Sequence, residues 1–459
     1  MAKYTIPGEY YLPLHHPRPR FKNEVEDVLG YMAFAIADIG RLPRDAFKQQ
    51  LNAQIRKYGS NVNSKEKTIN NWRTEIGAIF GLYVEDDAYA RPTFQSEDLA
   101  INTNLPRFFC GVMAAFQYPA GFLKPDEDVL LVNSNVKFHP GRWLANFFLQ
   151  QGVPTLTKEE FCHCVMNDLR VTRDGELLQQ TISRIAANRN ANVEYDSSGD
   201  VVRYAGDILD YMFYAGLLEK DADGRYFPKS GSTTVLNMLK NSTCFFDRYY
   251  NGKVMTNQVA TSLEYDWFVY AENVYKDFVG KMDAAQKPTE DMPTESPSKP
   301  TSLPEITSAS DTAAIGKAGE MLALQHEILR VTKDGREDLA HLIKAMPIHL
   351  AVGYDIKSIE TDTDDDRLIE VKTCVTRKRV HFNNFHLSPN EWRVADAHGK
   401  RYYVYRIAID DQGYQLFVIR DPVQKFRERL IRLSFSHPVQ LNFENSAGQF
   451  EELLCAPTK

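Results

Sequence analysis

One segment of the sequence cannot take part in a packed core. Residues 284–312 are rich in Pro, Ser, Thr and acidic side chains and contain almost no large apolar ones, so burial could not offset the chain entropy lost on folding them. We therefore expect an extended or disordered linker there. Because such a linker divides the chain, the sequence predicts a multidomain protein with folded parts at 1–283 and 313–459.

The distribution of charge limits the kinds of partner. The formal net charge is −7, which divides into −4 for residues 1–283, −3 for the linker and zero for residues 313–459. Neither folded part is basic as a whole. Any binding to nucleic acid must therefore depend on a local positive field.

Cysteine usage and hydropathy favour a cytoplasmic protein with no membrane segment. The six cysteines are scattered, which is typical of reduced thiols in the cytoplasm. No apolar run approaches the roughly 18 residues that a membrane helix needs, and the opening MAKYTIPGEY lacks the character of a signal peptide.

The Cys-His-Cys at 162–164 has no second pair of ligands near it, so structural zinc is not expected.

The first folded part has the pattern of a mainly α-helical region. Apolar side chains at helical spacing predict one buried face, formed by Ile69, Trp72, Ile76, Ile79 and Phe80.

A winged-helix-like module is predicted at about 155–230. Thr157 and Glu160 form a capping-box pattern at the start of a helix, further helical stretches follow, and an Asp-Gly turn at 223–224 joins two short strands. A winged helix has the same order of helices followed by a hairpin, and winged helices frequently bind duplex DNA. The same order also occurs in packing units that bind nothing, and the sequence leaves both interpretations open.

Residues 313–459 alternate between helix and strand patterns. The first helix has apolar or small residues four and three positions apart, at Ile315, Gly319, Leu322, His326 and Leu329. Gly316 and Gly319 would let this helix lie close to a sheet. Two strands, GYDIKSIE and RLIEVKTC, flank an acidic turn, and a helix with a capping box from Ser388 to Glu391 leads to further strands. This order predicts an α/β domain with a mixed sheet.

The strand RLIEVKTC carries an acid and a base in an otherwise apolar run. Because side chains alternate between the faces of a strand, Glu370 and Lys372 should point the same way, with Val371 opposed. Asp355 can approach them from the neighbouring strand. Two carboxylates suit a hard cation such as Mg²⁺, and a lysine beside the ion can orient a water molecule. Phosphodiester hydrolysis needs these components.

The spacing of these residues resembles a known nuclease signature. Asp355 precedes the Glu-X-Lys at Glu370 and Lys372 by fifteen positions, as in the PD-(D/E)XK nucleases, with Tyr354 in place of the usual proline. Five blocks follow one another in order: GKAGE, GYDIKS, LIEVKT, LSPNEW and YYVYRI. Together they resemble the Mrr-like branch known as the NO VEIN C-terminal domain, which is often found in restriction and phage-defence proteins. The resemblance covers about residues 313–425.

The resemblance implies a role for each residue of the site. In that family the acid of the Gly-X-X-Gly-Glu helix joins the active site, and it corresponds to Glu320 here. Glu320, Asp355 and Glu370 are thus expected to hold Mg²⁺ or Mn²⁺, and Lys372 to serve the nucleophilic water. The implied activity is that of an endodeoxyribonuclease resembling type II restriction endonucleases.

A basic run follows the strand that carries Lys372. Arg377, Lys378 and Arg379 are candidate DNA-phosphate contacts, although a solvated charge run is the usual explanation of such a stretch. The expected partner is double-stranded DNA. Cutting both strands with one site per chain favours a homodimer, and a cognate methyltransferase or defence-system partner fits the same biology.

Several alternatives remain open on the sequence alone. Glu370 and Lys372 could be a surface pair on an ordinary strand, or the domain could be a decayed nuclease kept for binding. The whole protein could be a non-catalytic DNA-binding or assembly subunit. It could also be a nuclease subunit that needs a partner ATPase, because the sequence has no Walker A loop.

Overall fold

The computed structural model describes most of the chain. The described residues are 3–17, 21, 25–58, 61, 64–102, 104–150, 155–252, 254–285, 312–346, 352–376, 384–410, 413–434 and 439–454. Two compact units are present: Met1–Glu97 with Pro106–Met282, and Asp98–Leu105 with Asp283–Lys459. Most of the predicted linker, residues 286–311, lies outside the described residues.

The described part of residues 1–285 is mainly helical. Its α-helices are α1 (Val25–Ile39), α2 (Arg44–Lys57), α3 (Glu66–Ala78), α4 (Phe94–Asn102), α5 (Leu105–Ala115), α6 (Pro125–Asn133), α7 (Pro140–Phe148), α8 (Lys158–Phe161), α9 (Leu169–Thr172), α10 (Leu178–Asn190), α11 (Val201–Tyr214), α12 (Thr233–Lys240) and α13 (Asn257–Ala285). Its strands are β1 (Leu42–Pro43), β2 (Tyr83–Glu85) and β3 (Tyr89–Pro92), in the order β1-β3-β2, and the hairpin β4 (Leu218–Lys220) and β5 (Tyr226–Pro228).

Aromatic side chains dominate the core of the first unit. The predicted face around α3 is buried as expected, with Ile69 and Ile76 fully enclosed. The ring of Phe80 is tilted against Phe108 and edge-on to both Phe109 and Tyr211. Phe109 in turn stacks on Tyr211. Such ring pairs add to the stability that burial of their area already provides.

The region predicted to be winged-helix-like contains helices and a hairpin in the expected order. Thr157 and Glu160 form the capping box of α8, which continues into a π-helical turn at Cys162–Met166. Helices α10 and α11 follow, then the hairpin β4–β5, to which Leu156 adds an isolated bridge at Tyr226. The winged-helix assignment itself stays a prediction.

The second unit contains the mixed sheet that the sequence predicts. Its helices are α14 (Thr312–Lys333), α15 (Pro389–His398) and α16 (Pro422–Arg427). Its strands are β6 (Lys344–Ala345), β7 (Ile356–Ile359), β8 (Asp366–Val375), β9 (Asn384–Leu387), β10 (Tyr402–Asp410), β11 (Gly413–Arg420), β12 (Ile431–Ser434), β13 (Val439–Phe443) and β14 (Gln449–Glu451). The larger sheet has the order β14-β11-β10-β8-β7-β6, with β10 parallel to β8 and the other pairs antiparallel. The smaller sheet has the order β12-β13-β9.

Apolar clusters cover both faces of the larger sheet. On one face Leu322 and Ala323 of α14 pack with Ile369 and Val371 of β8. On the other face Leu368 packs with α15, α16 and the smaller sheet. Strand β8 is therefore buried on both sides, which explains its nearly continuous apolar sequence.

Two details of the predicted first helix of this unit need correction. Leu329 was expected on the buried face, but it is 40% exposed, because Glu327 and Val331 form the buried face near the end of α14. A Cβ at Gly319 would lie 1.8 Å from Thr373 Oγ1, so glycine is required there for the helix to approach β8. A Cβ at Gly316 would meet open space, so that glycine is not needed for close packing.

Among the described residues, no helix combines the length and apolar character required to cross a lipid bilayer.

Candidate functional site

The hairpin of β7 and β8 brings Asp355 beside Glu370. The antiparallel register pairs Ile356 with Ile369, and Asp355, just before β7, donates its backbone N–H to the Ile369 carbonyl at 2.9 Å. The Asp355 carboxylate accepts a hydrogen bond from the backbone N–H of Val371 at 2.7 Å. This bond fixes the side chain against the strand that carries the other acid.

Glu370 and Lys372 share one face of β8, as the alternation of the strand predicts. Their side chains form an ion pair, with Lys372 Nζ 2.6 Å from Glu370 Oε1. Glu370 is buried, whereas the side chain of Lys372 keeps 23% of its area exposed. The pair thus joins a buried acid to a lysine whose side chain is only partly buried.

A further carboxylate, which the sequence interpretation assigned only to helix capping, also contacts the lysine. Glu391 Oε2 lies 3.2 Å from Lys372 Nζ, and the same oxygen accepts the backbone N–H of Ser388 at 2.8 Å. The capping-box pattern located Glu391 correctly on α15. The sequence did not indicate that the start of α15 lies over Lys372, because that depends on how the helix crosses the sheet.

Glu320 lies on α14, where the charges of Asp355 and Lys372 act on it. The helix packs on the face of β8 that carries Ile369 and Val371, and Gly319 brings its backbone against Thr373. Burial raises the pKa of Glu320 to about 7, and the negative charge of Asp355 adds to the rise. Helix α14 thus approaches β8 from the face opposite to Glu370 and Lys372, and Glu320 is linked to the site through the charge of Asp355.

Acidic side chains outnumber basic ones around Lys372, and burial disfavours their charged form. Burial raises the pKa of Glu370 to about 8, with Lys372 opposing the rise and Asp355 adding to it. Burial also raises the pKa of Asp355, against the hydrogen bond from Val371. For Lys372, burial disfavours the charge, but Glu370 and Glu391 together raise its pKa above the ordinary value, so the ammonium group stays protonated.

The donor chemistry of the cluster fits a hard divalent cation. In the part of the chain that the structure describes, no group of three or more His, Cys, Asp or Glu side chains is arranged to hold a metal ion. Mg²⁺, however, is commonly held by one or two carboxylates, with water and substrate phosphate as the remaining ligands. Asp355 and Glu370 supply two such carboxylates, and a cation there would compete with Lys372 for Glu370.

A buried ionic network supports β8 from the opposite face. Glu327 of α14 is fully buried and accepts hydrogen bonds from Ser358 at 2.7 Å, Tyr405 at 2.5 Å and Arg330 at 2.8 Å. Arg367, two residues before Ile369 on β8, lies 3.6 Å from the same carboxylate. The sequence interpretation missed this network, although Glu327 sits beside the predicted buried position of His326.

The candidate DNA-phosphate contacts Arg377, Lys378 and Arg379 lie outside the described residues.

The first unit presents an exposed polar helix face without acidic residues. Helix α10 contains no Asp or Glu, and Gln179, Gln180 and Ser183 on it are exposed. Its two arginines are engaged elsewhere, Arg184 with Glu176 and Arg189 with Glu160. This face consists of neutral polar side chains, of which Gln180 accepts the Leu177 N–H and Ser183 donates to the Gln179 carbonyl.

Comparison with known proteins identifies the class of both parts of the chain. Residues 4–268 match the family model described as the N-terminal part of restriction endonuclease BpuJI, and residues 319–419 match the model described as the C-terminal part of the protein NO VEIN. The domains are thus those of restriction-endonuclease-type proteins. Since the first match spans more than half of the sequence, the chain belongs to the BpuJI N-terminal restriction endonuclease family. The expected resemblance to the NO VEIN C-terminal domain is confirmed.

A solved structure shares the fold of more than half of this chain. It is a crystal structure of pyrene- and phenanthrene-modified DNA in complex with the BpuJ1 endonuclease binding domain. The match has a TM-score of 0.53 and 21% identity and covers 59% of this chain and all of that one. No curated protein matches the chain.

Proposed function

We propose that this protein is a Mg²⁺-dependent endonuclease that hydrolyses phosphodiester bonds of double-stranded DNA. The observation that carries the proposal is the grouping of Asp355, Glu370 and Lys372 at the β7–β8 hairpin, in a chain of a restriction endonuclease family. The first unit reads the DNA and the second cuts it.

The second unit would contribute its own side chains to the reaction as follows. Asp355 and Glu370 would hold the cation, with Glu320 close by, and Mn²⁺ suits the same oxygen donors. When bound, the ion would supply charge stabilisation at the phosphate and lower the pKa of a water molecule. The Lys372 ammonium donates hydrogen bonds and keeps its proton, so it can orient the attacking water and offset charge that develops on the phosphate.

Two features of the first unit support the proposal that it recognises duplex DNA. The solved structure that shares its fold is a DNA complex of an endonuclease binding domain. Helix α10 exposes Gln179, Gln180 and Ser183 without any acid that would repel phosphate. We infer that this face contacts base edges in the major groove and that Arg377, Lys378 and Arg379 contact phosphates near the cutting site.

A homodimer would cut both strands of the duplex, because one site cuts one strand. Restriction or phage defence is the corresponding biology, with a cognate methyltransferase or another defence protein as a further partner.

Purified protein, plasmid DNA and Mg²⁺ test the proposal. We expect linear or nicked plasmid with Mg²⁺ and none with EDTA. The second candidate is a non-catalytic DNA-binding protein, which the likeness to a binding domain favours; it predicts a shifted band without any cut. Cutting that requires an added ATPase would identify a nuclease subunit.

A further inference from the structure

The Lys372 ammonium has two carboxylate partners that belong to different elements. Glu370 lies on the same strand, at 2.6 Å, and Glu391 lies in the first turn of α15, at 3.2 Å. The two acids lie beside the Lys372 ammonium, which is proposed to orient the nucleophilic water. Their positions are not equivalent, because Glu370 lies on the strand that is hydrogen-bonded to Asp355 through Val371, whereas Glu391 also caps α15.

Glu391 is held rigidly by the start of its helix. Its Oε2 accepts the backbone N–H of Ser388 at 2.8 Å, and its own N–H donates to Ser388 Oγ at 3.2 Å. These two bonds form a capping box. The carboxylate that contacts Lys372 is therefore oriented by the backbone before any ligand arrives.

The Glu370 carboxylate cannot bind the Lys372 ammonium and a divalent cation equally strongly at the same time. An ammonium group and a dication that share one carboxylate repel each other strongly at such short distances. If Glu370 turns to the cation, the partly buried lysine loses its partner at 2.6 Å, and an ammonium group without a nearby anion is unfavourable in a partly desolvated site. Glu391 is the carboxylate in contact with it.

We propose that Glu391 is a positioning residue that keeps the Lys372 ammonium in place while Glu370 binds the cation. This inference rests on the proposed nuclease function. Glu391 does not touch the reacting atoms; it acts through Lys372. Without it, Lys372 pairs only with Glu370, which weakens cation binding and moves the ammonium away from the position where it serves the water.

A purely structural role for Glu391 makes different predictions. As a helix cap, Glu391 can be replaced by Gln, which also completes a capping box. Glu391→Gln therefore removes the charge and keeps the cap. Ser388→Ala is the matched control, because it removes the hydroxyl half of the cap and leaves both the Glu391 charge and the Ser388 N–H in place.

Binding of Mn²⁺ to the full-length, DNA-free protein, followed by electron paramagnetic resonance, tests the inference. We expect Glu391→Gln to bind Mn²⁺ about tenfold more weakly than the wild type, with a melting temperature close to that of the wild type. Ser388→Ala should melt earlier and bind Mn²⁺ normally. In a Lys372→Met background, Glu391→Gln should cause no further loss of affinity, because the lysine through which Glu391 acts is absent.

Two results overturn the inference and leave the proposed function intact. One is a wild-type protein that binds Mn²⁺ and cuts plasmid while Glu391→Gln matches it in both. The other is an equal loss of affinity from Glu391→Gln with and without Lys372, which would make Glu391 a direct ligand. A wild-type protein that neither binds Mn²⁺ nor cuts DNA overturns the proposed function itself.

Discussion

The Asp355 carboxylate accepts the backbone N–H of Val371 at 2.7 Å, which ties the acid of one strand to the strand that bears Glu370 and Lys372. Because one oxygen is engaged by the backbone, the side chain is held with its second oxygen available to a ligand. The neutral amide of asparagine can still accept that bond, so the charge of this residue can be removed without loss of its position.

We predict that Asp355→Asn folds normally and loses Mg²⁺-dependent cleavage by a factor of at least about 100, since a ligand charge is missing while the hydrogen bond remains. The plasmid nicking rate and the melting temperature measure the two effects. Asp366→Asn, an exposed acid on β8 paired with Lys357, is the control and should cut at the wild-type rate. A wild-type rate for Asp355→Asn would remove Asp355 from the site.

Glu327 is predicted to hold the second unit together rather than to act in cleavage. Glu327→Ala leaves Arg330 and Arg367 without their shared buried carboxylate, so it should destabilise that unit by about 3–5 kcal/mol. Denaturant unfolding measures the loss. The exposed Glu337 lies in the turn after the same helix, and Glu337→Ala should change stability by no more than about 0.5 kcal/mol. A small effect at Glu327 would show that the network is not a main support of β8.

The stability of the first unit should fall as the pH is lowered from about 6.5 to about 4. His139 accepts the Arg142 N–H through Nδ1 and contacts the Ala114 carbonyl through Nε2, and burial, assisted by the charge of Arg142, lowers its pKa to about 4. The unfolded chain takes up a proton near pH 6.5 and the folded chain only near pH 4. His139 therefore contributes about 3 kcal/mol to the free energy of unfolding, and this contribution is complete above pH 6.5 and lost on acidification.

Melting temperatures of the wild type and of His139→Gln across this pH range test that statement. The variant should be less stable near pH 7 and show a flatter profile. The exposed His341 serves as control, since His341→Gln should leave the profile unchanged. An unaltered slope in His139→Gln would assign the acid sensitivity to other groups.

Helix α10 is predicted to contribute sequence discrimination. Gln179→Ala with Ser183→Ala removes exposed groups that can bond base edges, so the preference for the recognised sequence over random duplex should fall about tenfold while binding to random duplex changes little. Competition binding measures the ratio. Asn237→Ala, an exposed amide on α12, is the control. A uniform loss of affinity for all sequences would indicate phosphate contact instead.

The sequence predicted those parts of the site that depend on strand alternation and local capping. Glu370 and Lys372 share a face because the period of a strand is two residues, and Glu391 lies where its capping box indicates. The contact of Glu391 with Lys372 depends on the crossing of α15 over the sheet, and the Glu327 network depends on four separate elements meeting. Neither leaves a periodic signal in the sequence.

The most direct test of the account is plasmid cleavage by Lys372→Ala beside the wild type, in Mg²⁺ and in EDTA, with DNA affinity measured on the same preparations. We predict that the wild type cuts only with Mg²⁺ and that the variant binds DNA with nearly wild-type affinity but does not cut, because the lysine acts mainly on the transition state. Lys357→Ala, an exposed lysine on β7, should cut normally. Cleavage by Lys372→Ala at the wild-type rate, or an equal loss of binding and cutting, would contradict the account.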